Sequence, residues 1–323
     1  MSVFLRPVEK KILALIESDA QITDLDLAKK LKLQVHNVRY ALKNMESSGL
    51  IQKAVLVNVK GLGLAMHNIF FSLAAEQQKK RQQILNAIQN AQEITWLGEF
   101  GGDFQYGLGL AVSSFEDVRS FLEKLSEKFG RVFFEKQVCY QYNSLRYSRK
   151  YLDTKVPKTK GLPYYTHVKT FDYDQLDIKI LTAMQDHGAL SDRALAQQVG
   201  VPLSTLKLRI AKLEKAGVIS GYVYVVDYNR LGVEQFKLLV YSRGYSSAFR
   251  DRLTTWSQLH PNVIGFIECF GAWDYEINLE VENHEQVITI TQELYESFGE
   301  ELSLIKTLTR FRNLKLTSLP GSM

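Results

Sequence analysis

The 323-residue chain contains only two cysteines and six prolines, and it nowhere has a run of eighteen apolar residues. A membrane-spanning helix needs about twenty such residues, so none is expected. The opening MSVFLRPVEKK lacks both the apolar stretch and the small-residue cleavage site of a secretory signal, which makes a cytoplasmic protein the expectation. The histidines, at 36, 67, 167, 187, 260 and 284, show no HExxH motif and no paired-ligand spacing; neither a metal nor a cofactor is expected. Length alone suggests about two domains.

The chain is, however, written twice. Residues 9–62 and 177–231 repeat one apolar pattern at an offset of 168, which slips to 169 by Leu62-Gly63 and Leu231-Gly232 and then holds to the end of each copy. Gly102 falls on Gly271, Tyr106 on Tyr275, and Phe129-Gly130 on Phe298-Gly299. A position apolar in both copies reads as core. Cys139 aligns with Leu308 and Cys269 with Phe100, so both cysteines read as small core residues rather than a disulfide or metal pair.

Each copy opens with three segments of helical period. Val8, Ile12, Leu15 and Ile16 form one stripe, Leu27, Ala28 and Leu31 a second, and Val38, Leu42 and Met45 a third; Leu176, Ile180, Met184, Leu195, Ala196, Val199, Leu206, Ile210 and Leu213 repeat them. Thr23 or Asp24 and Ser191 or Asp192 suit the N-caps of the middle helices, and Gly49 and Gly217 the ends of the third. LIQKAVLVNV and VISGYVYVVDY then change to a period of two, as strand pairs or wings. Three short helices and a wing make a winged helix-turn-helix. The rest of each copy reads strand, helix, strand, strand, helix, strand, the split βαβ of ferredoxin-like folds, whose free sheet face needs a partner.

The fold class expected is therefore α+β, with two winged helix-turn-helix domains and two ferredoxin-like βαββαβ domains in tandem. The boundaries read as 1–62, 63–143, a basic linker 144–170, 171–231 and 232–323. That linker carries seven of the 40 basic residues and one of the 35 acidic ones. It interleaves Arg146, Arg149, Lys150, Lys155, Lys158 and Lys160 with Tyr147, Tyr151, Tyr164 and Tyr165, and reads as a solvated tether in preference to a phosphate-tracking segment. Its 27 residues reach up to roughly 90 Å when extended, so the two ferredoxin-like sheets can pair within one chain.

GVISGYVYVVDYNRLG resembles the segment after the recognition helix in Lrp/AsnC (feast/famine) transcriptional regulators. LRIAKLEKAGVI resembles the end of that helix, and GGDFQY and GAWDY resemble the hairpin of the family's effector (RAM) domain. The likeness spans two complete units, weaker in the first, where QVHNVRYALKNMESSGLI has Ala41 in place of the expected arginine. Because family members usually pair as single-unit chains, the resemblance implies a fused dimer that binds double-stranded DNA with no catalytic chemistry, and it makes a homodimer of such fused chains plausible.

On the third helix of the first copy, inward Val38, Leu42 and Met45 turn His36, Tyr40, Lys43 and Ser47 outward, with Arg39 and Asn44 on the flanks and Asn37 near the helix start. His36 and Asn37 suit base edges, Arg39 and Lys43 phosphates or guanine. In the second copy the corresponding face carries Ser204, Thr205, Lys207, Arg209 and Lys212, with Leu208 as an awkward member that either meets a thymine methyl or packs on another domain. The resemblance implies a small amino-acid effector at Gly101, Gly102 and Asp103 and at Gly271, Ala272 and Asp274; the same residues also suit tight hairpins for turn geometry alone, and Asp274 aligns with Gln105. Two rival readings are a protein-interaction scaffold that has lost DNA binding and an enzyme like the siroheme decarboxylases, which share this layout. The latter's histidine on the second effector strand is missing from EITWLGEFGG and VIGFIECFGA, leaving His67 and His260 as stray candidates.

Overall fold

The computed structural model describes residues 5–17, 19–153, 161–186 and 191–321. Lys155, Lys158, Lys160 and His187 lie outside the described residues. No helix among those described is long and apolar enough to cross a membrane.

The first helical unit comprises α1 (Pro7–Ile16), α2 (Asp24–Leu31) and α3 (Val35–Ser47). Ile12, Leu13, Leu27, Val38 and Met45 are buried at its centre, with Leu42 packed against them. Thr23 caps α2 by accepting from the Asp26 N–H at 3.1 Å, and Gly49 at φ +71° supplies the left-handed residue after α3. The strand β1 (Ile51–Val57) follows, then β2 (Ala65–Leu73), α4 (Arg81–Asn90), β3 (Ile94–Gly101), β4 (Tyr106–Val112), α5 (Phe115–Phe129), β5 (Phe133–Arg146) and the two-residue β6 (Leu162–Pro163). The second copy repeats this order as α6 (Gln175–Asp186), α7 (Asp192–Val199), α8 (Leu203–Lys215), β7 (Ile219–Val226), β8 (Glu234–Ser242), α9 (Ser247–Leu259), β9 (Val263–Gly271), β10 (Tyr275–Val281), α10 (Glu285–Phe298) and β11 (Leu302–Leu316).

The expected wing differs from the structure in its partner. Each copy supplies one strand, and β1 pairs antiparallel with β7 of the other copy, Lys53 opposite Tyr224 and Val55 opposite Tyr222. The strands are also exchanged in packing: Val55 and Val57 join the core of the second helical unit, while Tyr224 and Val226 join that of the first. One ribbon therefore ties both units together.

The two four-stranded sheets close on each other. The order is β5-β2-β4-β3 in one copy and β11-β8-β10-β9 in the other. The long β5 and β11 each divide their length, pairing first with a strand of their own copy and then with the opposite one, so β5 meets β9 and β11 meets β3. The result is an eight-stranded barrel with no free edge, which removes the unpaired N–H and C=O groups of two open sheets. Outside it, α4 and α5 cover Ile69, Leu97, Leu108 and Leu110, and α9 and α10 cover Leu238, Val240, Ile277 and Leu279. Inside lie Phe70, Phe100, Phe104, Trp273, Leu308 and the free thiols Cys139 and Cys269.

The basic linker read at 144–170 is corrected over most of its described length. Residues 144–146 complete β5, and Leu162–Pro163 pairs with them as β6. Arg149 is 3% exposed; it is paired with Glu17 at the end of α1, and its Nε lies 2.5 Å from Glu280 on β10. Tyr151 donates to Glu280 at 2.6 Å, and Tyr147 and Tyr165 are buried. The connector is structural mortar because its charges find carboxylates roughly 130 positions away, which composition cannot reveal.

Candidate nucleic-acid interface

The residues singled out on the third helices are distributed as follows. His36, Asn37, Arg39, Tyr40 and Lys43 on α3 and Ser204, Lys207 and Lys212 on α8 are exposed; Thr205 and Arg209 are half-buried. Tyr40 and Leu208 occupy equivalent positions and are 60% and 58% exposed, so Leu208 is not buried against another part of the fold among the described residues. Both helices thus present a large side chain flanked by cations.

Arg39 and Lys207 are also equivalent, and each leans on the first residue of the preceding helix. Arg39 Nε lies 2.9 Å from Asp24 and Lys207 Nζ 3.8 Å from Asp192. All four side chains line a groove of about 820 Å³ between the helical units, whose floor includes Lys53, Ala54 and Tyr222 of the ribbon. Exposed pairs of this kind contribute little to stability, and their cations exchange partners readily with a phosphate.

Arg209 sits elsewhere. Its guanidinium lies 2.7 Å from Asp174 and 3.0 Å from Asp177 at the start of α6, and Asp177 is buried. Those two acids hold the guanidinium above its ordinary range, Asp174 through the hydrogen bond first and Asp177 by its charge. The first copy rearranges the same charges. Ala41 replaces the arginine and is buried, while positions 6 and 9, equivalent to 174 and 177, carry Arg6 and Glu9 paired at 2.6 Å. The arginine has moved from the third helix to the first. The apparent erosion at Ala41 is a compensated swap, and it was readable in the repeat by comparing the three aligned pairs 6/174, 9/177 and 41/209.

The ribbon fixes both helices from below. Tyr224 donates from its hydroxyl to Glu46 of α3 at 3.3 Å, and Tyr222 to Glu214 of α8 at 2.8 Å.

The six effector candidates lie on two separate seams of the barrel. Gly101 pairs with Thr309 on β11, and Gly271 with Cys139 on β5. Gly102 and Gly271 adopt φ of +115° and +140°, where a Cβ would meet the Thr307 and Val138 carbonyl oxygens at 3.0 and 2.8 Å, so the glycines serve turn geometry and close strand approach. Asp103 is paired with Lys306 at 2.7 Å. Asp274 accepts from the Ser242 N–H at 2.6 Å, and Gln105 accepts from the equivalent Leu73 N–H at 3.2 Å. The mismatch between Asp274 and Gln105 is thus one strand-end cap made by two residue types. Ala272 packs against the barrel interior.

Neither stray histidine faces the barrel interior. His67 lies between Phe115 and Tyr140, and burial lowers its pKa. His260 stacks on Trp256 with ring centroids 4.8 Å apart, and burial lowers its pKa to about 4.

A second cavity, of about 360 Å³, lies inside the barrel beneath the ribbon; sequence reasoning did not anticipate it. It forms where residues from all eight barrel strands and from β1 and β7 converge, and the half-buried Arg146 and Tyr164 and the buried Arg149 and Tyr165 complete its wall.

Comparison with known proteins agrees with this architecture. The winged helix-turn-helix DNA-binding family matches twice, at residues 5–52 and 173–220, two segments separated by the repeat offset. The leucine-responsive regulatory protein of Rhizobium meliloti is 32% identical over 150 residues, covering 45% of this chain and 92% of that protein. The Bkd operon transcriptional regulator of Pseudomonas aeruginosa is 31% identical over 117 residues, covering 35% and 74%. The AldR regulator of Mycolicibacterium smegmatis is 34% identical over 135 residues, covering 40% and 75%. Each aligns with less than half of this chain, as a single unit against a tandem pair. Over the whole length, the crystal structure of the siroheme decarboxylase NirDL is similar in fold, with a TM-score of 0.63 at 13% identity and coverage of 98% of this chain and 94% of that one.

Proposed function

The chain belongs to the Lrp/AsnC family of DNA-binding transcriptional regulators, and from that premise we propose that one chain reads DNA with two unlike heads, α3 and α8, held at fixed spacing by the β1–β7 ribbon. The observation that carries this is the ribbon itself: it takes one strand from each copy and grips both helices through Tyr224–Glu46 and Tyr222–Glu214. His36 and Asn37, near the start of α3, and Ser204 and Thr205, near the start of α8, address base edges. Arg39, Tyr40, Lys43, Lys207 and Lys212 address the backbone and the flanking bases.

Arg209 is left out of this contact set, since its guanidinium is held by two carboxylates. The hairpin residues Gly101, Gly102, Asp103, Gly271, Ala272 and Asp274 are likewise left out of an effector site, because their backbone and side chains are occupied in closing the barrel. The two heads differ, so the operator need not be a perfect palindrome. A single chain supplies the two heads that a family dimer supplies, and a homodimer of such chains would supply four.

Electrophoretic shift and footprinting with host genomic fragments test this reading. Two protected half-sites of different sequence, on a complex whose mass matches one chain per site, are expected. Absence of any shift at low salt would replace it with the scaffold reading. In the rival enzymatic reading the chain acts on a tetrapyrrole; titration with siroheme, followed by loss of carbon dioxide, would establish that instead.

A further inference from the structure

The cavity beneath the ribbon is lined by cations with incomplete partners. Arg149 is matched by Glu280 and Glu17, and the buried Lys237 by Glu276. Arg146 reaches only the already engaged Glu17, at 3.4 Å, and the Tyr224 carbonyl at 3.3 Å. Arg310 has no carboxylate partner among the described residues: it donates to the side-chain oxygens of Gln235 at 3.2 Å and Asn278 at 3.1 Å. With Lys53, which this cavity shares with the groove between the helical units, five cations thus stand against three carboxylates, Glu17, Glu276 and Glu280.

The surplus is accompanied by vacant hydrogen bonds. Arg146 Nε, Arg310 Nε and the Tyr228 hydroxyl are buried without a partner among the described residues, and all three residues line this cavity. Buried donors are ordinarily satisfied, and a part-buried guanidinium whose Nε is fully enclosed and whose hydrogen bonds go only to neutral oxygens is costly without an anion. The Arg310 guanidinium is also held in place, lying over the rings of Trp96 and Phe100 at 5.6 and 5.5 Å. Burial depresses its pKa, a strain that a bound anion would relieve.

We infer that this cavity binds a small organic acid carrying one carboxylate and no ammonium group, with Arg310, Arg146 and Tyr228 as the carboxylate's donors. The preference against an ammonium follows from the acids: Glu17, Glu276 and Glu280 are each bound to a cation of the protein, so none is free to receive a ligand's amine. The volume lies at the small end of ligand sites, and Met66, Trp96 and Ile264 offer an apolar wall to the remainder of the molecule. The site is distinct from the hairpin positions that the family resemblance suggests.

Occupancy has a route to the reading helices. Arg146 donates to the carbonyl of Tyr224, whose hydroxyl holds Glu46 on α3. A carboxylate drawing Arg146 into the cavity acts on the strand that positions that helix, and a change in DNA affinity on the order of tenfold is expected.

Calorimetry on the full chain tests the assignment with matched probes, 4-methyl-2-oxopentanoate against leucine and pyruvate against alanine. The oxo acids are expected to bind at least tenfold more tightly than their amino counterparts. Arg310→Gln is expected to weaken binding by roughly 10- to 150-fold, the loss of a hydrogen bond to a charged group. Tyr228→Phe removes only a hydroxyl and is expected to weaken it by about fivefold, which keeps the test decisive if Arg310→Gln does not fold. Equal or tighter binding of the amino acids, no heat with any acid up to millimolar concentration, or affinities unchanged in the folded variants would overturn the assignment. Tighter binding of a porphyrin polycarboxylate than of the small acids would overturn it in favour of a larger ligand. DNA binding, measured without acid, tests the regulatory reading separately.

Discussion

Arg149 makes the most consequential connection in the chain, because one side chain joins the connector, the first helical unit and the second effector sheet. Replacing it with methionine keeps much of the volume but removes the guanidinium. Glu280, fully buried, is then left with two neutral donors, the Tyr151 hydroxyl and the Gln235 amide, both at 2.6 Å. Glu17 keeps the Arg149 backbone N–H at 3.0 Å and Arg146 at 3.4 Å. Breaking a buried ion pair from one side costs about 3–5 kcal/mol, which corresponds to a fall in melting temperature of roughly 5–15 °C.

The pH dependence supplies a second check. Burial alone would raise the Glu280 pKa; Arg149 outweighs it and holds the carboxyl below its ordinary range. In the parent chain this group therefore contributes stability above about pH 4.3 that is lost on acidification. In the variant, burial is opposed only by the neutral Tyr151 and Gln235 donors, the pKa rises relative to the parent, and, where burial outweighs those two bonds, stability declines as pH increases from about 4.3 towards the new value. The deficit should be larger at pH 8 than at pH 4.5, and Glu280→Gln added to Arg149→Met should restore much of it. Scanning calorimetry of the three proteins measures this; a deficit under about 0.5 kcal/mol, or one independent of pH, would refute the assigned role.

Arg39→Ala with Lys43→Ala should reduce the slope of log affinity against log salt by up to about 1.8, since each phosphate contact contributes about 0.9; fluorescence anisotropy across a salt series reads it. Arg209→Ala should leave that slope unchanged yet lower stability, because buried Asp177 keeps only the Asp174 backbone N–H as partner among the described residues, which a denaturant titration measures. His260, depressed to about 4 by burial, contributes stability that is complete above its unfolded pKa of about 6.5 and lost as pH falls towards 4. His260→Gln should therefore flatten the decline in melting temperature over that window. Cys139 and Cys269 are buried, and burial raises the Cys269 thiol; an aromatic disulfide reagent should label neither until the protein is denatured.

The order of elements was legible because apolar periodicity reports burial directly. Val38 and Met45 fell inward on the third helix, and the split βαβ order left one sheet face uncovered, which demanded a second sheet. Partner choice was not legible. Alternation in LIQKAVLVNV identifies a strand but not that Lys53 lies opposite Tyr224 of the other copy. Charge in the connector suggested solvent because its neutralising carboxylates, Glu17 and Glu280, are remote in sequence. Arg209 was placed on a reading face by helical angle, whereas a half-buried guanidinium follows the nearest carboxylate. The barrel cavity had no local signature, since its lining is drawn from nearly every strand.

The division of β5 and β11 between two partners has a genetic consequence. Cutting the gene at its midpoint would release two proteins, each with an unfinished seam and half a clasp, whose stable course is reunion. Inheritance as one reading frame guarantees equal dosage of both parts and frees each to drift towards its own half of the target, so long as the seam residues change in step.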